Sequence, residues 1–175
     1  MKRAVFLDRD GTINVDYGYI GEPDKVKLLP SVAKGIRLLN EKGFLVIVIT
    51  NQSGVARGYF DEKTVKRVNQ GIAELLAQEN ARIDAFYFCP HHPDFGNKKY
   101  RKDCSCRKPK PGLFKKAALD FKINFAKSWI VGNEPRDIEM GKELGAKMIL
   151  LGKHNLLQVA KRIVRDSLIA DMLIC

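Results

Sequence analysis

Residues 4–12 read AVFLDRDGT, an apolar run that ends on two carboxylates. The apolar residues 4–7 predict a short buried strand. Asp8 and Asp10 then fall in a tight turn just beyond its carboxyl end. A second run, LVIVI at residues 45–49, is apolar throughout, as expected of a central parallel strand that is covered on both faces. A buried parallel sheet is therefore expected.

Segments of helical period alternate with short apolar runs along the rest of the chain. Further strands are predicted at residues 85–89, 129–131 and 148–151. Helices are predicted after Pro30-Ser31 as a cap, after Asp61, from Pro111-Gly112 through Phe121, in a segment ending near Gly145, and over 155–165, with 169–175 unassigned. This alternation is typical of an α/β fold, a Rossmann-like three-layer sandwich with a central, mainly parallel sheet.

The composition is that of an ordinary globular chain. It has 175 residues, 45% hydrophobic and 29% charged, which excludes collagen-like, low-complexity and wholly disordered proteins. The length predicts one domain over residues 1–175. The formal net charge of +11 favours anionic partners, whether phosphorylated substrates, nucleic acid or a membrane surface.

Targeting signals are not found in the sequence. No stretch approaches the ~18 consecutive apolar residues of a membrane span. The N-terminus becomes acidic too soon for a signal peptide. A cytoplasmic protein without a membrane partner is expected.

Polar residues follow four different predicted strands, where a ligand site is expected. These residues are Asp8, Thr50, Cys89 and Asn133. Because ligands of open parallel sheets bind at the carboxyl ends of the strands, the four should converge on one edge. The irregular segments 13–29 and 91–110 are long for simple connections, which favours a functional role for both.

The carboxylates of the first motif suit phosphoryl transfer. Asp8 would attack phosphorus, while Asp10 would protonate the leaving oxygen and later deprotonate water. The alternative is a plain turn at a strand end, where Asp and Gly are favoured. Attack on a phosphate dianion needs cations, and Mg²⁺ takes oxygen ligands from carboxylates and substrate phosphate.

Basic and polar loop residues could complete such a site. Lys108 could neutralise nucleophile and phosphoryl oxygens, and Arg107 offers a planar fork to a second phosphate. The alternative is a merely solvated basic loop. The hydroxyl, amides and N–H groups of Thr50-Asn51-Gln52-Ser53-Gly54 could hold phosphate oxygens, or form only a cap or turn.

Three of the four cysteines lie close together with a histidine. Cys89-x-His91 is followed, after twelve intervening residues, by Cys104-x-Cys106. Three thiolates and one imidazole form a closed tetrahedral set, which suits structural zinc. Burial at a strand end is the alternative for Cys89. His92 is left out of the set, and Cys175 has no partner in the pattern.

Together these motifs resemble the haloacid dehalogenase-like phosphatases. The matching segments are DRDGT at 8–12, TNQ at 50–52, Lys108 in a proline-rich loop, and VGNEPRD at 131–137. The resemblance covers about residues 4–151. Four further segments restrict the resemblance to one group of these enzymes, the D-glycero-D-manno-heptose-1,7-bisphosphate 7-phosphatases, whose relatives are the histidinol-phosphate phosphatases. The segments that are similar to this group are CPHHP at 89–93, CSCRKPKPG at 104–112, NVDYGY at 14–19 and TNQSGVARGYF at 50–60.

The resemblance implies a chemistry and a set of site residues. The implied reaction removes the 7-phosphate through a phosphoaspartate intermediate, in nucleotide-activated heptose and lipopolysaccharide precursor synthesis. Asp8 would be the nucleophile, Asp10 the general acid/base and Lys108 the charge-balancing group, with Thr50 also catalytic. Mg²⁺ would be held by Asp8, the main-chain carbonyl of Asp10 and Asn133, with Asp137 nearby, and structural Zn²⁺ by Cys89, His91, Cys104 and Cys106. Substrate contacts are implied for Asp16, Tyr17, Gly18, Tyr19, Thr50, Asn51, Gln52, Ser53, Arg107, Lys108 and Glu134.

One departure from the family pattern is visible. The fourth motif is usually Gly-Asp-x-x-x-Asp, but here Asn133 stands at the first aspartate position. An amide oxygen can ligate Mg²⁺ but removes a formal charge, so weaker binding is expected unless Glu134 or Asp137 compensates. No stretch remains for the cap domain of larger relatives, so a capless monomer is expected, with specificity in loops 13–29 and 55–60 and in the zinc loop.

Three alternatives stay open. A histidinol-phosphate phosphatase is the nearest, although the PHHP and KPKPG contexts disfavour it. A nucleic-acid 3′-phosphatase is prompted by the net charge, but the basic residues are scattered, which disfavours nucleic acid as a partner. A non-catalytic, anion-binding zinc module is supported by Asn133 alone. The sequence does not indicate which anomer is preferred or which glycan pathway is fed.

Overall fold

Five parallel strands form the central sheet of the computed structural model, which describes residues 1–172. The strands are β1 (Ala4–Leu7), β2 (Leu45–Asn51), β3 (Ala85–Cys89), β4 (Trp129–Gly132) and β5 (Lys147–Leu150). Their order in the sheet is β3-β2-β1-β4-β5, and all neighbours pair in parallel. The chain therefore moves outward in one direction through β2 and β3 and then in the other through β4 and β5. This reversal beside β1 is where such sheets bind ligands.

Six helices accompany the strands. They are α1 (Val32–Glu41), α2 (Glu62–Gln78), α3 (Gly112–Phe121), α4 (Pro135–Ile138), α5 (Gly141–Leu144) and α6 (Leu156–Met172), with 3-10 turns at Pro23–Lys25 and Phe125–Lys127. The single helix predicted before Gly145 is instead two short helices, α4 and α5, and α6 extends well beyond residue 165. Cys175 lies outside the described residues. Across residues 1–172, no helix combines the length and apolar character needed to cross a membrane.

The two faces of the sheet carry separate apolar cores. In β1, Val5 and Leu7 pack in the core shared with α1, α2 and α6. Ala4 and Phe6, on the opposite face, pack in the core that includes Phe114 of α3. Because successive side chains of a strand point to opposite faces, a strand covered on both sides is apolar throughout. The predicted three-layer α/β sandwich is confirmed.

The two predicted helix caps have different outcomes. The carboxylate of Asp61 accepts a hydrogen bond from the Thr64 N–H at 2.8 Å and caps α2 as predicted. Ser31 precedes α1 but makes no side-chain capping bond, and its φ is 64°. A capping side chain normally extends from a β-region backbone, so the left-handed conformation explains why the prediction for Ser31 is wrong.

Gly35 of α1 allows close approach of α6. A Cβ at Gly35 would lie 2.9 Å from the carbonyl carbon of Leu156 and 3.0 Å from its oxygen. Replacing a helical Gly by Ala usually stabilises a protein by about 0.5–1 kcal/mol. For Gly35→Ala we expect the opposite, a loss of about 1–3 kcal/mol in unfolding free energy, because backbone of α6 must move. Urea denaturation of the variant and of the unaltered protein measures this difference in unfolding free energy.

The matched control is Lys34→Ala, in the same helix but exposed, which should change the unfolding free energy by less than about 0.5 kcal/mol. A higher urea midpoint for Gly35→Ala than for the unaltered protein would contradict the close packing of α1 on α6.

Candidate active site

Residues that follow β1, β2 and β4 meet in a cavity of about 350 Å³ at the carboxyl edge of the sheet. Of the residues expected from the sequence, the cavity is lined by Asp8, Asp10, Asp16, Gly18, Tyr19, Thr50, Asn51, Ser53, Arg107, Lys108, Asn133, Glu134 and Asp137. Gln52 reaches the site by a hydrogen bond to Asp10. Tyr17 is 61% exposed and is not among the described lining residues. Of the four strand-end residues expected to converge, Asp8, Thr50 and Asn133 therefore line one cavity, while Cys89 is not among its described lining residues.

Lys108 is buried between two carboxylates. Its Nζ donates to Oδ1 of Asp8 and, at 2.7 Å, to Oδ1 of Asp137, and only 2% of its side chain is exposed. Asp137 can lie against β4 because Gly132 has no side chain: a Cβ there would be 2.2 Å from the Cβ of Asp137. Asp137, expected only near the magnesium position, is thus the second partner of the buried lysine.

The Asp8 carboxylate is poorly solvated. Burial raises the pKa of Asp8 to about 6, with further increases from Asp137 and Asp10, while the Lys108 ammonium lowers it. Its Oδ1 is held by Lys108, whereas Oδ2 accepts no hydrogen bond from the described residues. An ionised oxygen with few hydrogen bonds is a suitable nucleophile, and a cation in the cavity would favour the ionised form.

Three side chains hold the carboxylate of Asp10. Arg9 donates to both of its oxygens, at 2.9 to 3.2 Å. Asn14 donates to Oδ1 at 2.9 Å and Gln52 to Oδ2 at 2.7 Å. Arg9 is itself only 1% exposed and donates to Asn69 of α2 at 3.0 Å. Asp10 therefore has a fixed orientation toward the cavity.

Sequence reasoning assigned no role to Arg9 or Asn69. A charged residue next to a strand normally remains in solvent, so the position of Arg9 in the DRDGT motif does not indicate that its side chain is buried. The neighbouring Asp10 is the only feature of the sequence that could have indicated the ion pair.

The Lys108 segment is attached to the end of β2. The Asn51 side chain accepts from the Lys108 N–H at 3.0 Å and donates to the Lys108 carbonyl at 3.2 Å. These are the two hydrogen bonds that a neighbouring strand would make with that residue. The main chain at Lys108 is thus positioned by Asn51, a side chain that was expected to contact substrate.

Three thiols and an imidazole cluster at the end of β3. The ligand atoms of Cys89, His91, Cys104 and Cys106 all lie within 4.8 Å of one another. The Sγ atoms are between 2.8 and 3.4 Å apart, well beyond the S–S bond length of about 2.05 Å. His91 Nδ1 is 3.2 Å from the Cys106 Sγ. This set could hold a zinc ion, as three thiolates and a histidine do in structural sites.

The thiols of this cluster have shifted proton affinities. The hydrogen bond with Cys89 is the main reason that the pKa of Cys106 is lowered to about 5. The same bond is the main reason that the pKa of Cys89 is raised far above its usual range. One thiolate at neutral pH already favours a cation, and metal binding would displace the remaining protons.

Oxygen atoms suited to magnesium lie beside Asp8. The Asn133 Oδ1 accepts from Thr12 at 3.2 Å. Gly11 permits the close approach of this asparagine, since a Cβ at Gly11 would lie 2.6 Å from the Asn133 Nδ2. One carboxylate, a main-chain carbonyl and an amide oxygen are ligands that Mg²⁺ accepts. The residues present therefore fit the ion, with the Asp8 carboxylate as the charged ligand.

A set of basic side chains, the basic wall, forms another part of the cavity lining. It includes Arg57, Arg107 and Arg136 together with His92. Arg57 stacks on Phe95, 3.7 Å from the ring centroid, and Arg107 donates to the His91 carbonyl at 3.1 Å. Burial, followed by the charges of Arg107 and Arg57, lowers the pKa of His92, so its imidazole is neutral at pH 7.

The sequence analysis did not assign three members of this wall, namely Arg57, His92 and Arg136. All three occur within stretches that carried the resemblance, Arg57 in TNQSGVARGYF, His92 in CPHHP and Arg136 in VGNEPRD. Arg57 also lies in loop 55–60, which was expected to contribute to specificity.

Comparisons with known proteins agree with this geometry. The HAD-hydrolase-like family model matches residues 105–174. A D-glycero-beta-D-manno-heptose-1,7-bisphosphate 7-phosphatase of Haemophilus influenzae is 41% identical over 148 residues, 85% of this chain and 79% of the relative. That of Escherichia coli K12 is 39% identical over 149 residues, 84% of this chain and 78% of the relative. The chain belongs to the haloacid dehalogenase-like phosphatases.

A solved relative has the same fold. The crystal structure of D,D-heptose 1,7-bisphosphate phosphatase from B. bronchiseptica superposes with a TM-score of 0.78 at 29% identity. The match covers 95% of this chain and 99% of that one, which is complexed with magnesium and phosphate. The family membership expected from the sequence motifs is confirmed.

Replacing Asp8 by Asn should stabilise the fold. Because folding raises the pKa of Asp8 to about 6, the ionised carboxylate is less stable in the folded chain than in the unfolded chain at pH 7. The neutral amide removes this cost, and we expect Asp8→Asn to raise the unfolding free energy by about 1–3 kcal/mol. Urea denaturation without added magnesium measures the change.

The exposed Asp24→Asn variant is the control and should change stability by less than about 0.5 kcal/mol. A clear loss of stability in Asp8→Asn would mean that the ion pair with Lys108 outweighs the loss of hydration.

Proposed function

We propose that this chain is a magnesium-dependent phosphatase that removes the 7-phosphate of D-glycero-D-manno-heptose 1,7-bisphosphate, within one domain. The main support is the buried Asp8–Lys108 pair beside the fixed carboxylate of Asp10, at one edge of the sheet. The relatives at about 40% identity carry this activity in their names. The product would be a heptose monophosphate for surface glycan synthesis, including lipopolysaccharide precursors.

The first half of the reaction transfers the phosphoryl group to Asp8. The carboxylate oxygen of Asp8 forms a bond to phosphorus while the bond to the sugar oxygen breaks. Asp10, in its protonated form, gives its proton to that leaving oxygen. Lys108 offsets the negative charge that accumulates between nucleophile and phosphoryl group. Magnesium, when bound by Asp8, the Asp10 carbonyl and Asn133, supplies further positive charge at the phosphoryl oxygens.

The second half restores the carboxylate. Asp10, now ionised, accepts a proton from water as the water oxygen attacks phosphorus. The phosphorus–oxygen bond to Asp8 then breaks and inorganic phosphate leaves. Arg9, Asn14 and Gln52 hold Asp10 at one position, so that the same group can serve in both halves. Thr50 accepts a hydrogen bond from Gln52 and belongs to the same network.

The shape and charge of the cavity support a small sugar bisphosphate. A volume of about 350 Å³ suits a compact substrate better than a polymer. Arg57, Arg107 and Arg136 line the cavity and could bind a second phosphate. Tyr19 and the exposed Tyr59 form an edge-to-face pair with ring centroids 4.8 Å apart, which offers an apolar surface to the sugar.

The cysteine cluster would bind structural zinc. Its ligands bracket the 91–106 segment and end next to Arg107 and Lys108. A tetrahedral ion closed by four protein ligands leaves no position for substrate. Its role would be to keep the loop in place, so that the basic side chains enter the cavity.

A substrate panel tests the activity. It contains both anomers of the heptose bisphosphate, fructose 1,6-bisphosphate, histidinol phosphate and a 3′-phosphorylated oligonucleotide, each at the same magnesium concentration. We expect kcat/KM for a heptose bisphosphate to exceed the others by at least about tenfold, which corresponds to roughly 1.4 kcal/mol. A higher kcat/KM for histidinol phosphate or the oligonucleotide than for the heptose bisphosphates would contradict the proposal and indicate that compound's class as the substrate.

Asp8→Asn tests the nucleophile. It removes the carboxylate that would carry phosphorus, and we expect phosphate release to fall by at least about a thousandfold. Beryllium or aluminium fluoride should stabilise the unaltered protein against heat but not this variant. Phosphate release near the original rate by Asp8→Asn would assign the attack to another group.

Cys104→Ser tests the zinc site. Loss of one ligand should lower the bound zinc content and reduce turnover, while far-UV circular dichroism stays unchanged because Cys104 only borders the core that includes Phe114. Lys102→Ala, exposed in the same loop, should keep zinc and activity. Full activity of a zinc-free Cys104→Ser protein would contradict the positioning role.

A further inference from the structure

Charges of opposite sign cancel around the cavity. The carboxylates are those of Asp8, Asp10, Asp16, Glu134 and Asp137, and the basic groups are those of Arg57, Arg107, Lys108 and Arg136, with Arg9 against Asp10. Their formal charges sum to zero, with His92 neutral. A divalent cation alone gains little from such a surface, and neither does an isolated phosphate dianion.

The carboxylates nearest the cation position already have partners. Asp8 is paired with Lys108, and both oxygens of Asp137 are engaged, by Lys108 and by the Glu134 N–H at 3.0 Å. The side chain of Glu134 is paired with Arg136 at 2.7 Å. Asp137 is therefore not available to replace the charge that Asn133 lacks, and the charge of Glu134 is already offset by Arg136.

We infer that magnesium and the phosphoryl group bind to this chain cooperatively, the phosphate supplying the negative charge that Asn133 does not. The inference rests on the proposed function, because it concerns the same cation position and the same phosphoryl site. In the free protein, the cation meets one carboxylate, whose charge Lys108 already offsets. When phosphate is present, its oxygens are additional anionic ligands, and Mg²⁺ readily combines carboxylate with phosphate oxygens.

Reciprocity follows from linkage. If phosphate strengthens the binding of magnesium by a given factor, magnesium must strengthen the binding of phosphate by the same factor. The site would therefore fill chiefly when both are present. A phosphorylated sugar without the cation, or the cation without the sugar, would occupy the cavity weakly.

Titration calorimetry with Mg²⁺ tests the inference, using inorganic phosphate as the probe. For the unaltered protein, we expect the magnesium Kd to fall by about tenfold or more when phosphate is saturating, within the usual range of couplings between sites. Phosphate titrated with and without magnesium should show the same factor. Equal Kd values in both conditions would overturn the inference.

Asn133→Asp supplies the missing charge within the protein. We expect this variant to bind Mg²⁺ about tenfold more tightly without phosphate, and the effect of phosphate to shrink accordingly. Asn155→Asp is the control, since it adds the same charge at the exposed start of α6. It should leave both Kd values unchanged. If Asn155→Asp lowered the magnesium Kd as much as Asn133→Asp does, the change would come from net charge alone, and the inference would be overturned.

Turnover separates this inference from the proposed function. If the unaltered protein releases phosphate at saturating magnesium but shows no coupling, only the cooperative binding is wrong. If it shows coupling but hydrolyses none of the panel, the function is wrong and the binding inference stands for inorganic phosphate.

Discussion

A lysine almost without contact with water lies between two carboxylates, and three separate segments of the chain meet there. Removing an ammonium from water costs several kcal/mol, which a buried carboxylate must offset. Lys108 has two partners, Asp8 at the end of β1 and Asp137 after β4. Since each group would be unstable if buried alone, the arrangement holds only when the loop, the central strand and its neighbour are all in place.

The rest of the site keeps this lysine in position. Asn51 bonds to the main chain of Lys108 on one side, and the thiol cluster ends one residue before Arg107 on the other. The thiol cluster also touches one apolar core, because Cys89 lies within it and Cys104 and Cys106 pack against it. The long 91–110 segment depends mainly on polar bonds and on its cluster of metal-binding side chains, while the sandwich depends on burial of apolar side chains. Loss of one need not unfold the other.

Local patterns predicted the fold and the principal site residues because their signals lie within a few positions of each other. The apolar run before Asp8, the spacing of Asp8 and Asp10, and the Cys/His pattern are all short-range features. Ser31 shows where local patterns fail to predict the structure. Its residue type favours a helix cap, but the path of the chain into α1 gives Ser31 a left-handed backbone. Arg9 is a second example, because its buried side chain bonds to Asn69, which is distant in the sequence.

Read alone, the sequence determined the alternation of strands and helices, the carboxylate pair after the first strand and the set of metal-binding side chains. These follow from periodicity and residue chemistry, which are local. The tertiary structure alone decided that Asp137 pairs with Lys108, 29 positions away in the sequence. Which carboxylate meets which cation depends on distances between segments far apart in the chain. Electrostatic energy changes with those distances and with burial, and neither is encoded by spacing along the sequence.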